Sequence, residues 1–165
     1  TSAFLEGLAH WGPTVCLVDD GLPVVGAFWT PRLHEFWYAA RGQGAWLGDR
    51  RLGPPVAHPA ADRAVMCLGS GADPRLLLRW PGKVRALGSS AAHLCQVARG
   101  SAVVAVVPRW QTWDVACGVL LIEETGGKVR GVDGLPVNLT AENPSPFVAG
   151  VPEAVFDLTR EPPTG

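Results

Sequence analysis

Hydrophobic and polar positions change their rhythm once along this chain. From Pro13 to Leu47 the apolar residues fall in short β-prone runs separated by turn residues: TVCLV, the turn DDG, LPVVGAFWT, the break PRLHE, FWYAARG and QGAWLG. That punctuation predicts an antiparallel meander. Leu52 to Ala64 (LGPPVAHPAADRA) is rich in proline and has no periodicity, so it reads as a connection, and it divides the chain into residues 1–62 and 63–165. Beyond it, AVMCLG predicts a strand, DPRLLLRW a short helix with Asp73 as a candidate cap, and KVRAL a second strand. Ala91, Leu94, Cys95 and Ala98 then recur at helical spacing, opened by Ser89 and Ser90 and closed by Gly100, which predicts a helix over 89–99. SAVVAVV reads as a buried strand, WDVACGVLLIEET as a helix over 114–125 ended by Gly126-Gly127, and FVAGV as a late strand. Strands alternating with helices predict an α/β layer with a sheet spanning 63–150.

Composition adjusts this picture in three places. With 165 residues, 47% hydrophobic and 18% charged, the chain buries a core without staples. Its 14 basic residues are scattered against 15 acidic ones and form no basic stripe, which argues against a nucleic-acid partner. No apolar run approaches the roughly 18 residues of a membrane helix, and TSAFLEGLAHWG lacks the basic start and apolar centre of a signal peptide, so a cytoplasmic protein with no membrane partner is expected. Cys16, Cys67, Cys95 and Cys117 stand far apart in apolar stretches and read as reduced core thiols. The chain opens at Thr1 without Met, and an upstream part is expected to be missing.

Candidate chemistry is concentrated at two helix starts. Asp114 falls in the first turn of its helix, behind Thr112 or Trp113 as cap; its carboxylate either complements the helix dipole, a matter of about 0.3–1 kcal/mol, or offers hard oxygen to a cation such as Mg²⁺. Gly88, Ser89 and Ser90 lie between a strand and a helix, where backbone donors either receive an ordinary serine cap or bind a phosphate. Arg109 follows a buried strand, in a loop where α/β proteins contact ligands, and either grips a substrate or is solvated. His10, His34, His58 and His93 form no i, i+4 pair, and His93 reads as a partly exposed surface residue. The seven Trp read as core and interface anchors.

Taken together, LGSSAAHLCQVARG followed by WDVACGVLLIEETGGKV, with Asp133-Gly134 beyond, resembles the C-terminal half of the inositol monophosphatase superfamily of Mg²⁺-dependent phosphatases. TSAFLEGLAHWGPTVCLVDDGLPVVGAFWTPRLHEFWYAARGQGAWLGDRRL is similar to the family segment running from the end of D-P-x-D-G-T to G-G-G-A-x-x-N-G. The resemblance implies an α/β fold, the family's αβαβα sandwich with its N-terminal part missing. Residues 1–62 would be the remainder of an antiparallel-sheet domain and 63–165 the α/β domain. It implies that Asp114 ligates the second metal, with Trp113 wedging the turn in place. Thr1 would be the catalytic threonine that positions the attacking water, and Gly88, Ser89 and Ser90 would line the substrate and phosphate side, with Arg109 a further substrate contact.

The implied cofactor is Mg²⁺, and the implied partner is a small phosphorylated metabolite, inositol phosphate or histidinol phosphate; a homodimer is the one protein assembly allowed for. D-P-x-D-G itself and the upstream glutamate motif are absent, and Asp19, Asp20, Glu123 and Glu124 are placed too far away to replace them. Val107 stands where inositol-specific members carry a glutamate that contacts sugar hydroxyls. The rival expectation is a truncated, non-catalytic relative that keeps the fold and an anion-binding helix start.

Overall fold

The computed structural model describes residues 2–58, 60–142 and 144–159. A short helix, α1 (Ser2–Leu5), precedes the predicted meander, which forms β1 (Thr14–Asp19), β2 (Leu22–Thr30), β3 (Glu35–Ala40), β4 (Gly44–Leu47) and β5 (Arg50–Arg51), antiparallel in the order β1-β2-β3-β4-β5. Asp20 and Gly21 supply the positive φ values of 47° and 76° that the β1–β2 turn needs. The alternating burial of β1 reflects a sheet with one covered face: Thr14, Cys16 and Val18 turn inward while Val15 and Leu17 stay exposed.

The proline-rich connection runs through a 3₁₀ turn at Ala61–Arg63 into β6 (Val65–Leu68), α2 (Arg75–Arg79), β7 (Lys83–Arg85), α3 (Ser90–Ala98), β8 (Val104–Val107), α4 (Thr112–Glu124), β9 (Lys128–Gly131), β10 (Phe147–Gly150) and α5 (Pro152–Thr159). The second sheet has the order β7-β6-β8-β10-β9. β6 lies parallel to both β7 and β8, while β10 runs antiparallel to β8 and β9. Neither β9 nor α5 was predicted from the pattern: KVRG carries charge on alternate positions of an edge strand, and α5 begins at a proline only two residues beyond β10.

Four layers result. α3 and α4 lie between the sheets, where Phe28, Trp37, Ala39 and Ala45 of the first sheet meet Leu94, Val97, Val115, Leu120 and Leu121, and these meet Ala105, Val107, Phe147 and Ala149 of the second. Because both faces of α4 are covered, its stripe is apolar almost all round, with Val115 to Ile122 buried without interruption. The far face of the second sheet packs Met66, Val104, Val106 and Val148 against Leu76 of α2 and Val155 and Leu158 of α5. On the outer face of the first sheet, no helix covers Val15, Leu17, Val25 or Phe36 among the described residues.

Glycine makes the close approaches. A Cβ at Gly118 on α4 would lie 2.6 Å from Leu94 Cβ on α3, and one at Gly26 on β2 would lie 3.2 Å from Cys117 Cα. Polar ties hold the first sheet to the helices: Glu124 accepts from the Gly42 and Gly44 amides at 2.8 Å each, and Arg99 pairs with Glu35 at 2.7 Å with its guanidinium over the Trp37 ring. All four cysteines are unpaired. Burial pushes the Cys67 thiol up to about 11 and Cys117 up to about 12, which keeps both protonated and inert at neutral pH.

Candidate active site

Two helix starts converge on one cleft of about 360 Å³, lined by Gly88, Ser89, Ser90 and Ala91 from the start of α3, Asp114 from the start of α4, Ala3 and Phe4 of α1, Trp11 to Thr14, and Phe28. The α3 start is built on glycine and serine for separate reasons. Gly88 has φ +78°, a backbone region that strains any other residue, and a Cβ there would sit 3.3 Å from Leu8 Cδ1 and 3.4 Å from Ala3 Cβ. Ser89 is the N-cap, its Oγ accepting from the Ala92 amide at 3.3 Å while its carbonyl accepts from the His93 amide at 3.0 Å. The serine cap therefore exists, and the exposed first-turn donors lie beside it.

Asp114 is the third residue of α4, and the cap is Gln111 rather than Thr112 or Trp113. The Gln111 amide donates to Asp114 Oδ2 at 3.3 Å, the return half of a capping box. Among the described residues Oδ1 has no hydrogen-bond partner, so the cap leaves one carboxylate oxygen to spare at the cleft. Trp113 does not wedge the turn: its ring is 69% exposed. Two residues just before it hold the turn instead, because buried Trp110 donates from Nε1 to the Ser145 carbonyl at 3.0 Å and Thr112 donates from Oγ1 to the Leu139 carbonyl at 2.5 Å. Trp110 also packs edge-on against Phe147.

Thr1 lies outside the described residues. Arg109 does not line the cleft; its guanidinium lies 3.4 Å from where a Cβ would stand on Gly71, a residue that lines a larger cavity of about 700 Å³ between α2, α5 and the end of β8. That cavity has an apolar floor; of its two carboxylates, Asp73 is taken by Arg75 at 2.6 Å, and Asp133 accepts from the Leu135 amide at 2.9 Å. Neither of the two helix starts, Gly88-Ser89-Ser90 or Asp114, opens into it.

Two groups of residues at the site carry no motif. Phe4 and Trp11 meet edge-on at 4.7 Å and line the cleft, as does the buried Phe28. His93, expected at the surface, is 2% exposed, and its Nε2 accepts from the Leu87 amide at 2.8 Å. Burial, reinforced by nearby His10, lowers its pKa to about 4, so the ring is neutral. The sequence signal for it is its place one turn inside a helix that opens Gly-Ser-Ser.

Among the described residues, Asp114 is the only carboxylate at the cleft, and no group of three or more His, Cys, Asp or Glu could hold a metal ion. These residues thus supply one hard oxygen ligand, short of a complete Mg²⁺ site.

The chain belongs to the inositol monophosphatase family, whose model matches residues 1–155. Over 148 residues the chain is 32% identical to the histidinol-phosphatase of Mycobacterium tuberculosis, covering 82% of this chain and 56% of that protein. It is 33% identical over 148 residues to an inositol-1-monophosphatase of Mesorhizobium japonicum, covering 81% and 54% respectively. The crystal structure of the extragenic suppressor protein suhB from Bartonella henselae superposes with a TM-score of 0.84 at 27% identity, over 96% of this chain and 67% of that one. The chain spans little more than half the length of the two curated relatives. No helix among the described residues is long and apolar enough to cross a membrane.

Proposed function

We propose that the protein is, or is part of, a Mg²⁺-dependent phosphomonoesterase acting on a small phosphorylated metabolite, and that an ester bearing a flat aromatic ring, such as histidinol phosphate, suits it better than the saturated polyol of inositol phosphate. The observation that carries this reading is the meeting of the Gly88-Ser89-Ser90 helix start and Asp114 at one cleft, in a chain of this family. First-turn amides of α3 would receive the phosphate, where the helix dipole favours negative charge. Asp114 would be one ligand of the metal through its spare oxygen, and Thr1 would orient water. Mg²⁺, once held by a full ligand set, supplies Lewis-acid polarisation of the phosphoryl group. Arg109, outside the cleft, is given no part in binding.

The preference for an aromatic ring follows from the edge-on pair Phe4 and Trp11 at the cleft, which offers aromatic surface to a flat group. A polyol needs polar partners for each hydroxyl, and Val107, where the resemblance places a sugar-binding glutamate, is fully buried and has no polar side-chain atom. A second reading, a non-catalytic relative that binds anions only, is favoured by the single carboxylate of the cleft.

Phosphate release with and without Mg²⁺, from histidinol phosphate, inositol 1-phosphate, adenosine 3',5'-bisphosphate and fructose 1,6-bisphosphate, separates the two. The expected result is negligible turnover by these 165 residues alone and Mg²⁺-dependent turnover, fastest on histidinol phosphate, by a chain of the relatives' length. No release from any ester by the longer chain would establish the non-catalytic reading. Faster release from inositol 1-phosphate would remove the argument from the aromatic pair.

A further inference from the structure

We propose that His93 is a positioning residue for the phosphate-side turn: its imidazole holds the Leu87 amide, and through it fixes the Gly88-Ser89-Ser90 backbone in the one conformation that lines the cleft. The inference rests on the phosphate-binding role just assigned to that turn.

The geometry is a capping device reaching one turn further than usual. In an ordinary capping box a side chain at the third helical residue returns to the N-cap amide. Here the fourth residue of α3, His93, returns past the Ser89 cap to the amide two residues before it. The backbone of His93 simultaneously donates to the Ser89 carbonyl at 3.0 Å, so one residue grips the turn from both sides of Gly88. Leu87 follows the end of β7 and has no ladder partner, and without the imidazole its half-buried N–H would be an orphan donor.

An Nε2 that accepts must leave the proton on Nδ1, and Nδ1 is buried with no hydrogen-bond partner among the described residues. A buried ring nitrogen left unsatisfied destabilises the fold, and holding the turn is the one interaction of this ring that offsets it. Gly88 is the reason a hold is needed, since at φ +78° glycine has no side chain of its own to restrict it.

The experiment uses ¹⁵N-labelled protein and two variants, His93→Gln, which keeps an acceptor, and His93→Leu, which keeps bulk and removes it. In the wild type a scalar coupling is expected across the hydrogen bond between Leu87 N and His93 Nε2; its absence overturns the inference. With inorganic phosphate titrated in the presence of Mg²⁺, the Ser89 and Ser90 amide resonances report binding. His93→Leu should raise the half-saturating phosphate about tenfold and speed amide exchange at Leu87 to Ser90 about tenfold, leaving β8 and α4 unchanged, while His93→Gln restores most of both.

A His93→Leu protein that binds phosphate as the wild type does overturns the inference, as does an equal loss in both variants. Should His93→Leu not fold, a folded His93→Gln protein with its phosphate half-saturation shifted more than tenfold overturns it as well. The two readings fail separately. Phosphate binding that depends on His93 in a protein that hydrolyses no ester ends the catalytic reading alone. Ester hydrolysis with unaltered KM and kcat in His93→Leu ends the His93 assignment alone.

Discussion

His93 and Asp114 both stand near the starts of neighbouring helices, fourth in α3 and third in α4, and differ in what surrounds them. His93 must stay neutral. With its folded pKa lowered to about 4 against an ordinary value near 6.5, the unfolded chain binds the proton first as pH falls, so His93 contributes no penalty above pH 6.5 and destabilises progressively between 6.5 and 4. The expected loss across that window is about 3 kcal/mol, read as the pH dependence of urea unfolding, and it should vanish in His93→Gln. An unfolding free energy flat between pH 6.5 and 4.5 in the wild type, relative to His93→Gln, contradicts the buried neutral ring. Asp114 is exposed at the cleft. Asp114→Asn retains an oxygen for the Gln111 amide and loses only the charge on the helix dipole, so stability should fall by less than about 1 kcal/mol. Metal affinity and turnover in a catalytically complete chain should fall by orders of magnitude. Wild-type turnover at an unshifted Mg²⁺ half-saturation in this variant would leave Asp114 as a helix-start residue only.

Between elements, the decisive contact is α3 against α4, because it sets the distance between the two helix starts. Gly118 is what allows it. In an exposed helix Gly→Ala gains about 1 kcal/mol, but here the new Cβ would overlap Leu94 Cβ, an atom fixed to the α3 backbone that cannot rotate away. Gly118→Ala should therefore destabilise, by about 1–3 kcal/mol, and perturb Ser89 and Asp114 resonances together. A Tm equal to or above wild type would mean that the helices part without cost. At the other end of α4, Glu124→Ala strips two amides of the β3–β4 turn of their shared acceptor and should cost about 1–2 kcal/mol while leaving the cleft unchanged. Denaturation midpoints together with amide shifts at Gly42 and Gly44 check this.

Across the molecule, the first sheet is covered on one face only. Val15, Leu17, Val25 and Phe36 stand 45–68% exposed, and Trp29, Tyr38 and Trp46 extend the same face through a chain of ring contacts. A contiguous apolar surface of this kind promotes association. The 165-residue chain should bind hydrophobic dyes and sediment with a concentration-dependent mass, and Val15→Thr with Leu17→Thr should reduce both without altering the far-UV spectrum, since threonine suits an exposed strand. A monodisperse monomer that binds no dye would contradict the exposure of this face.

Much of this organisation is written locally. Turn residues and alternation marked the meander, and the period of Ala91, Leu94, Cys95 and Ala98 marked α3, because those features depend on backbone preferences a few residues long. The two motifs located Gly88, Ser89, Ser90 and Asp114, whose residue types answer to helix-terminus chemistry wherever the helix happens to lie. Tertiary structure decided the rest. Only packing buried His93 and turned it toward Leu87, exposed Trp113 while burying Trp110, sent Arg109 to another face, and brought Phe4, Trp11 and Phe28 to the cleft. The reason is physical: helix and turn preferences act over three or four residues, whereas burial and orientation depend on which distant surface arrives, and 93 with 87, 110 with 145 and 112 with 139 are brought together only when the layers close.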